Sequence, residues 1–505
     1  MSGLELARKY YETYGVPMIA TKFPKYVNKI AVGLVGEGSD CFGFDDAIST
    51  DHDFGPSFCM WLSDETYNEI GVDLEKAYNE LPTTFDGITR TTTVMGANRR
   101  GVWKITDFYK KYVGTPVYDE IDFKNVDDYA LATCTNGEVF RDDEGIFTQI
   151  RNNILNGYPE SIRYLKIASC AALFSQCAQY NYLRMLKRAD ESTAFMILSD
   201  GLKQALRLWH FMNSAFPPHD KWLIKSVQRI EQGDVVVSLV NKISSEFMNQ
   251  GDKCNVAVLI EELADFIVHR MYDMNIVSDV NSYLDFHSEE IVFKSSIVDL
   301  NKSELVEKIV KLEFEAFDQV QNEGGRASCQ DNWHTFSIMR KSQYLTWNMD
   351  MLIQYLYDFS REFKYGHNLI TEKYGRMMES TAPDRWNEIK DNFPLISDEK
   401  KAIIEQIVSL QMQMADEFAV EHPMMANQAR SLHTYEDNIF NTSYETYLRG
   451  EISTYSDRML QLYGTYVILA VKNGVNITYI TMENTAKLYG YESIIAYEEK
   501  NGLNK

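Results

Sequence analysis

Residues 36–56 read GEGSDCFGFDDAISTDHDFGP, four glycines and six carboxylates in one short stretch, directly after the apolar run IAVGLV at 30–35. The run predicts a strand ending at Val35, and Gly36, Gly38 and Ser39 beyond it predict a turn where bare backbone approaches an anion. A helix opening near Ser39 would offer free N–H groups and the positive end of its dipole to a phosphate. Asp51, His52 and Asp53 follow after eleven intervening residues, 40–50. On a strand, positions two apart project from one face, so Asp51 and Asp53 would share a divalent cation, Mg²⁺ or Mn²⁺. His52 then points the other way, as a hydrogen-bonded strand residue. Metal ions bridging the phosphates of a nucleotide neutralise the charge that develops as the α-phosphoryl group moves. The stretch asks for a nucleoside triphosphate, ATP in the first instance, as co-substrate.

Around it, residues 1–145 alternate between helical and β-type patterns. A leading helix (MSGLELARKYYETYG) precedes the runs KIAVGLVG, FGPSFCMWL, ITRTTTVMG and YALATCTNGEVF, and SDETYNEIGVDLEKAYNEL has helical spacing; this predicts a domain of mixed helix and strand. Over 146–300 apolar residues recur every three or four positions, as in ESIRYLKIASCAALFSQCAQYNYLRMLKRA, and predict a helical bundle. NKSELVEKIVKLEFEAFDQV, capped by Asn301 or Ser303, opens a third, mostly helical domain over 301–505. A chain of 505 residues has room for two to four cores.

The formal charge is −23, from 73 acidic against 50 basic residues. Such a field repels a phosphate backbone, so nucleic acid is disfavoured as partner and a small-molecule or protein acceptor is expected. The seven cysteines, at 41, 59, 134, 170, 177, 254 and 329, are scattered without CxxC spacing and read as reduced thiols. With no signal-peptide core and no apolar run of about 18 residues, the expectation is a cytoplasmic protein with no membrane partner.

Gly38-Ser39, the eleven-residue spacer and Asp51-His52-Asp53 resemble the signature of the polymerase-β-like nucleotidyltransferase superfamily. More closely, GSDCFGFDDAISTDHDFGP is similar to an uncharacterised bacterial nucleotidyltransferase-like family carrying GSD or GSE, GFDD and DHD-[W/F]-GP. NGEVFRDDEG and FPPHDKWL resemble the same family, so the likeness spans about 25–225. Residues 301–505, with NEGGRASCQDNWHTFSIMRKSQYLTW and NTSYETYLRGEISTYSDRMLQLYG, resemble a second uncharacterised domain that often follows the first. The resemblance implies an α+β nucleotidyltransferase domain, a mixed sheet with flanking helices, followed by α-helical domains. It implies transfer of a nucleoside monophosphate with release of pyrophosphate. It further implies a third carboxylate on a neighbouring strand. The stretch TTTVMGANRRGVWKITDFY offers Asp107 for it, with Arg100 or Gly101 at the register of an acid, and Asp107 also reads as a cap of the helix DFYKKYV. Glu138, Asp142 and Asp143 are rival acids in a segment that reads as a solvated turn.

Lys221 in FPPHDKWL could meet a triphosphate with its ammonium, or could be a surface lysine beside a buried Trp222. Asp45 and Asp46 could orient metal-bound water or hold the turn, and His210 reads as a packed helix residue. In the last domain Glu323, Arg326, Cys329, Gln330, Asp331 and His334 gather near two glycines, with Arg340 following. His433, Glu436 and Asp437 form a further cluster. Together they suggest a second polar and aromatic pocket, with Cys329 and either His334 or His433 as a nucleophilic pair. Three readings follow: a nucleotidyltransferase, a regulator that binds NTP·Mg²⁺ without turnover, and a bifunctional enzyme with a second site in 301–505.

Overall fold

The structure, a computed structural model, describes residues 1–49, 53–93, 96, 99–249, 253–321 and 325–502. The chain divides into two compact units, Met1–Met274 with Val280–Ser295, and Asn275–Asp279 with Ser296–Lys505. Residues 1–145 and the helices up to Met274 thus belong to one unit.

Four strands carry the first unit: β1 (Ala31–Leu34), β2 (Cys59–Leu62), β3 (Gly101–Lys104) and β4 (Glu138–Arg141), in the order β3-β2-β1-β4. β1 runs antiparallel to both neighbours, with Ala31 opposite Trp61 and Leu34 opposite Glu138, whereas β2 and β3 are parallel, Cys59 opposite Gly101. The sheet is therefore mixed, and helices flank it. Alternation of period two sorts its side chains. One face gives Val32, Met60, Leu62 and Val102 to a core shared with Tyr10, Tyr11, Ile70 and Leu74. On the other face Trp61 stacks on Phe147 at 4.0 Å and meets Phe108 edge-on at 5.6 Å. Phe147 belongs to the helix Ile146–Leu155, so the helical segment closes the sheet.

Local chemistry explains the elements. The helix Asp64–Asn79 is capped by the Ser63 hydroxyl, which accepts from the Thr66 N–H at 3.2 Å, and Asp64 and Glu65 in its first turn suit the helix dipole. Asp86-Gly87, both with positive φ, turn the short hairpin of Thr84–Phe85 and Ile88–Thr89. The predicted strand ITRTTTVMG reduces, among its described residues, to that second hairpin strand. YALATCTNGEVF is half helix: Asp128–Thr135 is helical, and only Glu138–Arg141 is a strand. The helix is buried over nearly its whole surface, so its sequence lacks the polar stripe that marks a helix. Gly137 makes the break, with φ +61° and a Cβ position 1.9 Å from the Leu34 carbonyl oxygen.

The second unit is helical, from Lys302–Asp318 through Ile494–Gly502. Asn301 and Glu304 form a reciprocal capping box, which settles the cap on Asn301. No helix among the described residues is long and apolar enough to cross a membrane. All seven cysteines are free thiols.

Candidate functional site

Because β1 is antiparallel to β2, the exit of β1 and the approaches to β2 and β3 meet at one edge of the sheet. A cavity of about 520 Å³ opens there, and Gly38, Ser39, Asp53 and Lys221 all line it. Gly38 has φ +124°, and a Cβ on it would lie 2.2 Å from Asp40 Oδ1, so only glycine fits the turn. The buried Asp40 carboxylate accepts from Arg100 Nη2 at 3.0 Å on both oxygens, and Arg100 Nη1 donates to the Glu37 carbonyl at 3.0 Å. Burial works against the Arg100 charge, and Asp40 outweighs it, so the guanidinium stays charged. Where the register suggested an acid, the structure has a cation that braces the GSD turn.

Asp53 departs from the expected strand geometry. It stands in a bend before β2 with φ +51°, so it cannot share a strand face with a residue two positions away. Asp51 and His52 lie outside the described residues. The Asp53 carboxylate accepts from the Thr93 N–H at 2.6 Å and the Thr93 hydroxyl at 2.9 Å, and faces Arg99 Nη1 at 3.3 Å. Gly96 leaves room for it, since a Cβ there would lie 2.1 Å from Asp53 Oδ1. Glu37, another wall residue, is pushed up by burial, but Lys111 at 2.9 Å and Arg99 at 3.1 Å outweigh this and hold its carboxyl below the usual range. Among the described residues no three His, Cys, Asp or Glu side chains converge as a metal cluster. Mg²⁺ is commonly held by one or two carboxylates with waters and phosphate oxygens, and Asp53 is the described carboxylate of the acidic pair in the cavity wall, with both oxygens already facing Thr93 or Arg99.

The other acids are placed elsewhere. Asp107 is exposed in the first turn of the helix Ile105–Val113, whose N-cap is Lys104 rather than Asp107. It follows the C-terminal end of β3. Since β2 and β3 are parallel, that is the edge of the sheet away from the cavity. Glu138 pairs with Arg8. Asp142 accepts from the N–H groups of Gly145 at 3.0 Å and Thr148 at 2.8 Å, and Asp143 faces Arg141 at 2.5 Å, so RDDEG is a braced turn. Asp45 accepts from the Gly3 N–H at 2.8 Å, and Asp46 from the N–H groups of Ile48 and Ser49, so both hold the loop.

The far wall comes from the helical segment. Lys221 Nζ lies 4.4 Å from the Trp222 ring, Trp222 lies 4.8 Å from Phe42, and Tyr129 stacks on His219 at 4.1 Å. Arg229 donates to the carbonyls of Phe42 at 2.9 Å and Gly43 at 2.5 Å while lying over the Phe44 ring at 4.2 Å. Sequence reasoning missed Tyr129, His219, Arg99 and Arg229. Three of them lay inside segments marked for other reasons, Tyr129 in YALATCTNGEVF, Arg99 in TTTVMGANRRGVWKITDFY and His219 in FPPHDKWL. His210 is buried between the Leu206 carbonyl (2.7 Å) and the Ser226 hydroxyl (2.8 Å), and burial lowers its pKa to about 4.

A family model described as Domain of unknown function (DUF4037) matches residues 123–223, and one described as Protein of unknown function (DUF4125) matches 303–499. Curated proteins and solved structures give no match. The first stretch holds Tyr129, His219, Lys221 and Trp222 of the cavity.

Inside the second stretch the polar residues singled out from sequence are dispersed. Arg326 faces Asp331 at 2.9 Å at the surface, Cys329 is exposed, and His334 meets the Tyr489 ring edge-on at 6.1 Å. His433 Nε2 lies 3.0 Å from Asp416, and Glu436 accepts from the His433 N–H at 2.9 Å. Among the described residues no hydrogen bond joins Cys329 to either histidine. Gln330 donates to the carbonyls of Phe317 and Val320, Asp437 accepts from the Ser443 N–H at 2.6 Å, and Glu323 lies outside the described residues. Gln330 and Arg340 are buried, and of the two only Arg340 carries charge into the core. It pairs with Glu313 at 2.6 Å and with Glu451 at 2.8 Å, and Lys373 joins Glu451 at 2.5 Å. Burial would raise the Glu451 carboxyl, but Arg340 and Lys373 hold it well below the usual range. Two cations thus balance two carboxylates in a buried network.

Proposed function

We propose that this chain is a metal-dependent nucleotidyltransferase that moves a nucleoside monophosphate, with ATP as donor, to a small-molecule or protein acceptor. The observation that carries the reading is the convergence of the Gly38-Ser39 turn, Asp53 and Lys221, from three separated parts of the chain, on one cavity. In this reading the Ser39 hydroxyl and the turn hold the β- and γ-phosphates, Lys221 adds a point charge, and Phe42 and Trp222 offer aromatic faces to the base. Asp53, with Asp51, would hold Mg²⁺ or Mn²⁺, which when bound neutralises charge on the phosphates. The acceptor oxygen forms a bond to the α-phosphorus, the bond from that phosphorus to the bridging oxygen breaks, and pyrophosphate leaves. The acceptor's proton passes to a base or to water.

The test is incubation of the chain with ATP and Mg²⁺ or Mn²⁺ in metabolite and protein extracts, read by mass spectrometry for added nucleotide mass. Metal-dependent adducts with pyrophosphate release are expected. Absence of both adduct and saturable ATP binding would overturn the reading.

A second reading is favoured by Arg99 and Arg100, which stand at the approach to β3, and by the placement of Asp107 at the other edge. With no third carboxylate on the neighbouring strand at the cavity among the described residues, the first unit would bind NTP·Mg²⁺ as a regulator. Saturable binding without product would decide for it.

A further inference from the structure

Beside the candidate site, a cavity of about 770 Å³ is lined from 124–129, the helices Glu160–Phe174 and Glu191–Met212, and 217–221. It meets the first cavity at Tyr129, His219 and Lys221, which line both. Four cations face it, Lys124, Lys166, Arg207 and Lys221, against the carboxylates Asp127, Asp128 and Asp220. In a chain of net charge −23 this is a local excess of positive charge. Part of it is already balanced. Lys166 Nζ lies 2.7 Å from Asp128, which also accepts from the Tyr158 hydroxyl at 2.7 Å, and Arg207 Nη2 lies 2.9 Å from Asp220. Arg207 itself lines the cavity, and its Nε, buried within the wall, has no hydrogen-bond partner among the described residues, so Asp220 satisfies the guanidinium only in part. Lys124 is exposed at the rim. A buried donor without a partner is costly, and a charged oxygen is the partner that repays it best.

We propose that this second cavity binds the oxyanion, carboxylate or phosphate, of a small molecule, with Arg207 and Lys124 as its ligands. Its size suits a metabolite rather than a protein segment. The shared wall places such a molecule next to the nucleotide cavity, so it is the acceptor. That last step rests on the nucleotidyltransferase reading, whereas anion binding stands without it.

Calorimetric titration of inorganic phosphate, and separately of succinate, into the full chain at constant ionic strength tests this. At least one should bind, and which one tells phosphate from carboxylate. Arg207→Gln and Lys124→Gln should each weaken that binding by about tenfold or more, the loss of one charge-assisted hydrogen bond, while Ser39→Ala leaves it unchanged. Lys124 is a surface residue, so its variant keeps the test alive should Arg207→Gln fail to fold. Binding lost in Ser39→Ala but kept in both other variants would put the anion in the nucleotide cavity and overturn the proposal, as would no binding of either probe. ATP·Mg²⁺ affinity, measured on the same proteins, should be unchanged in Lys124→Gln. If wild type binds the anion but not ATP·Mg²⁺, the nucleotidyltransferase reading fails and the anion site remains.

Discussion

Asp40 and Arg100 close on each other across sixty positions of sequence, one guanidinium nitrogen 3.0 Å from both carboxylate oxygens. Asp40 is buried and Arg100 largely so, and the pair joins the GSD turn to the approach of β3. Removing one partner strands the other charge, which costs about 3–5 kcal/mol at buried sites. Arg100→Gln should therefore lower the stability of the first unit by about that amount in urea unfolding. A loss below about 1 kcal/mol, typical of an exposed pair, would show that the turn does not depend on it.

Asp53→Asn removes a charge at nearly constant volume. The fold should persist, because Thr93 can still donate to the remaining carbonyl oxygen, while Mg²⁺-dependent ATP binding is lost. Unchanged affinity for ATP·Mg²⁺ in this variant would remove Asp53 from the site.

Ser39→Ala should weaken triphosphate binding by about 0.5–1.5 kcal/mol, or up to ~3 if the hydroxyl meets a charged oxygen, and leave AMP binding almost unchanged. Equal losses for ATP and AMP would place Ser39 away from the β- and γ-phosphates.

For Asp107 the expectation is a small effect. A positioned general base contributes about 10²–10⁴-fold, so Asp107→Asn should keep turnover within about threefold if its placement at the other sheet edge is right. A hundredfold fall at unchanged ATP affinity would return it to the chemistry.

His210 sets a pH dependence. Its folded pKa, lowered by burial to about 4, lies below the unfolded value near 6.5. The unfolded state therefore takes up a proton first as the pH falls. The stability that His210 lends as a neutral residue is complete above about 6.5 and is lost down to about 4. Urea midpoints at pH 7 and pH 5 should differ more for wild type than for His210→Asn. Equal differences would show that other groups carry the acid sensitivity.

Sequence revealed the strand–turn–helix around Gly38-Ser39, the helix over Asp64–Asn79 and a cap at either Asn301 or Ser303, because glycine, capping and periodicity act within a few residues. It did not reveal what long-range packing imposes. Asp53 adopts a positive φ because Thr93, Gly96 and Arg99 surround its carboxylate from forty and more residues away. Tyr129 was read into a strand because its helix is buried on most sides. The polar density near Cys329 and His433 was real, but much of it serves helix ends and turns. Asn332 caps the helix Trp333–Tyr344, Gln330 accepts from the Ala327 N–H, and Glu436 accepts from the His433 N–H. Such groups crowd in sequence for local reasons and need not converge in space.

The Arg229 guanidinium, lying on the Phe44 ring and bonded to the Phe42 and Gly43 carbonyls, makes the glycine-rich loop dependent on a residue nearly two hundred positions downstream. A fragment ending before 229 would keep every motif of residues 36–56 and still lose the clamp on their backbone, with those carbonyls turned to water. The helical segment is thus no detachable accessory: any piece that keeps this loop braced must reach at least Arg229.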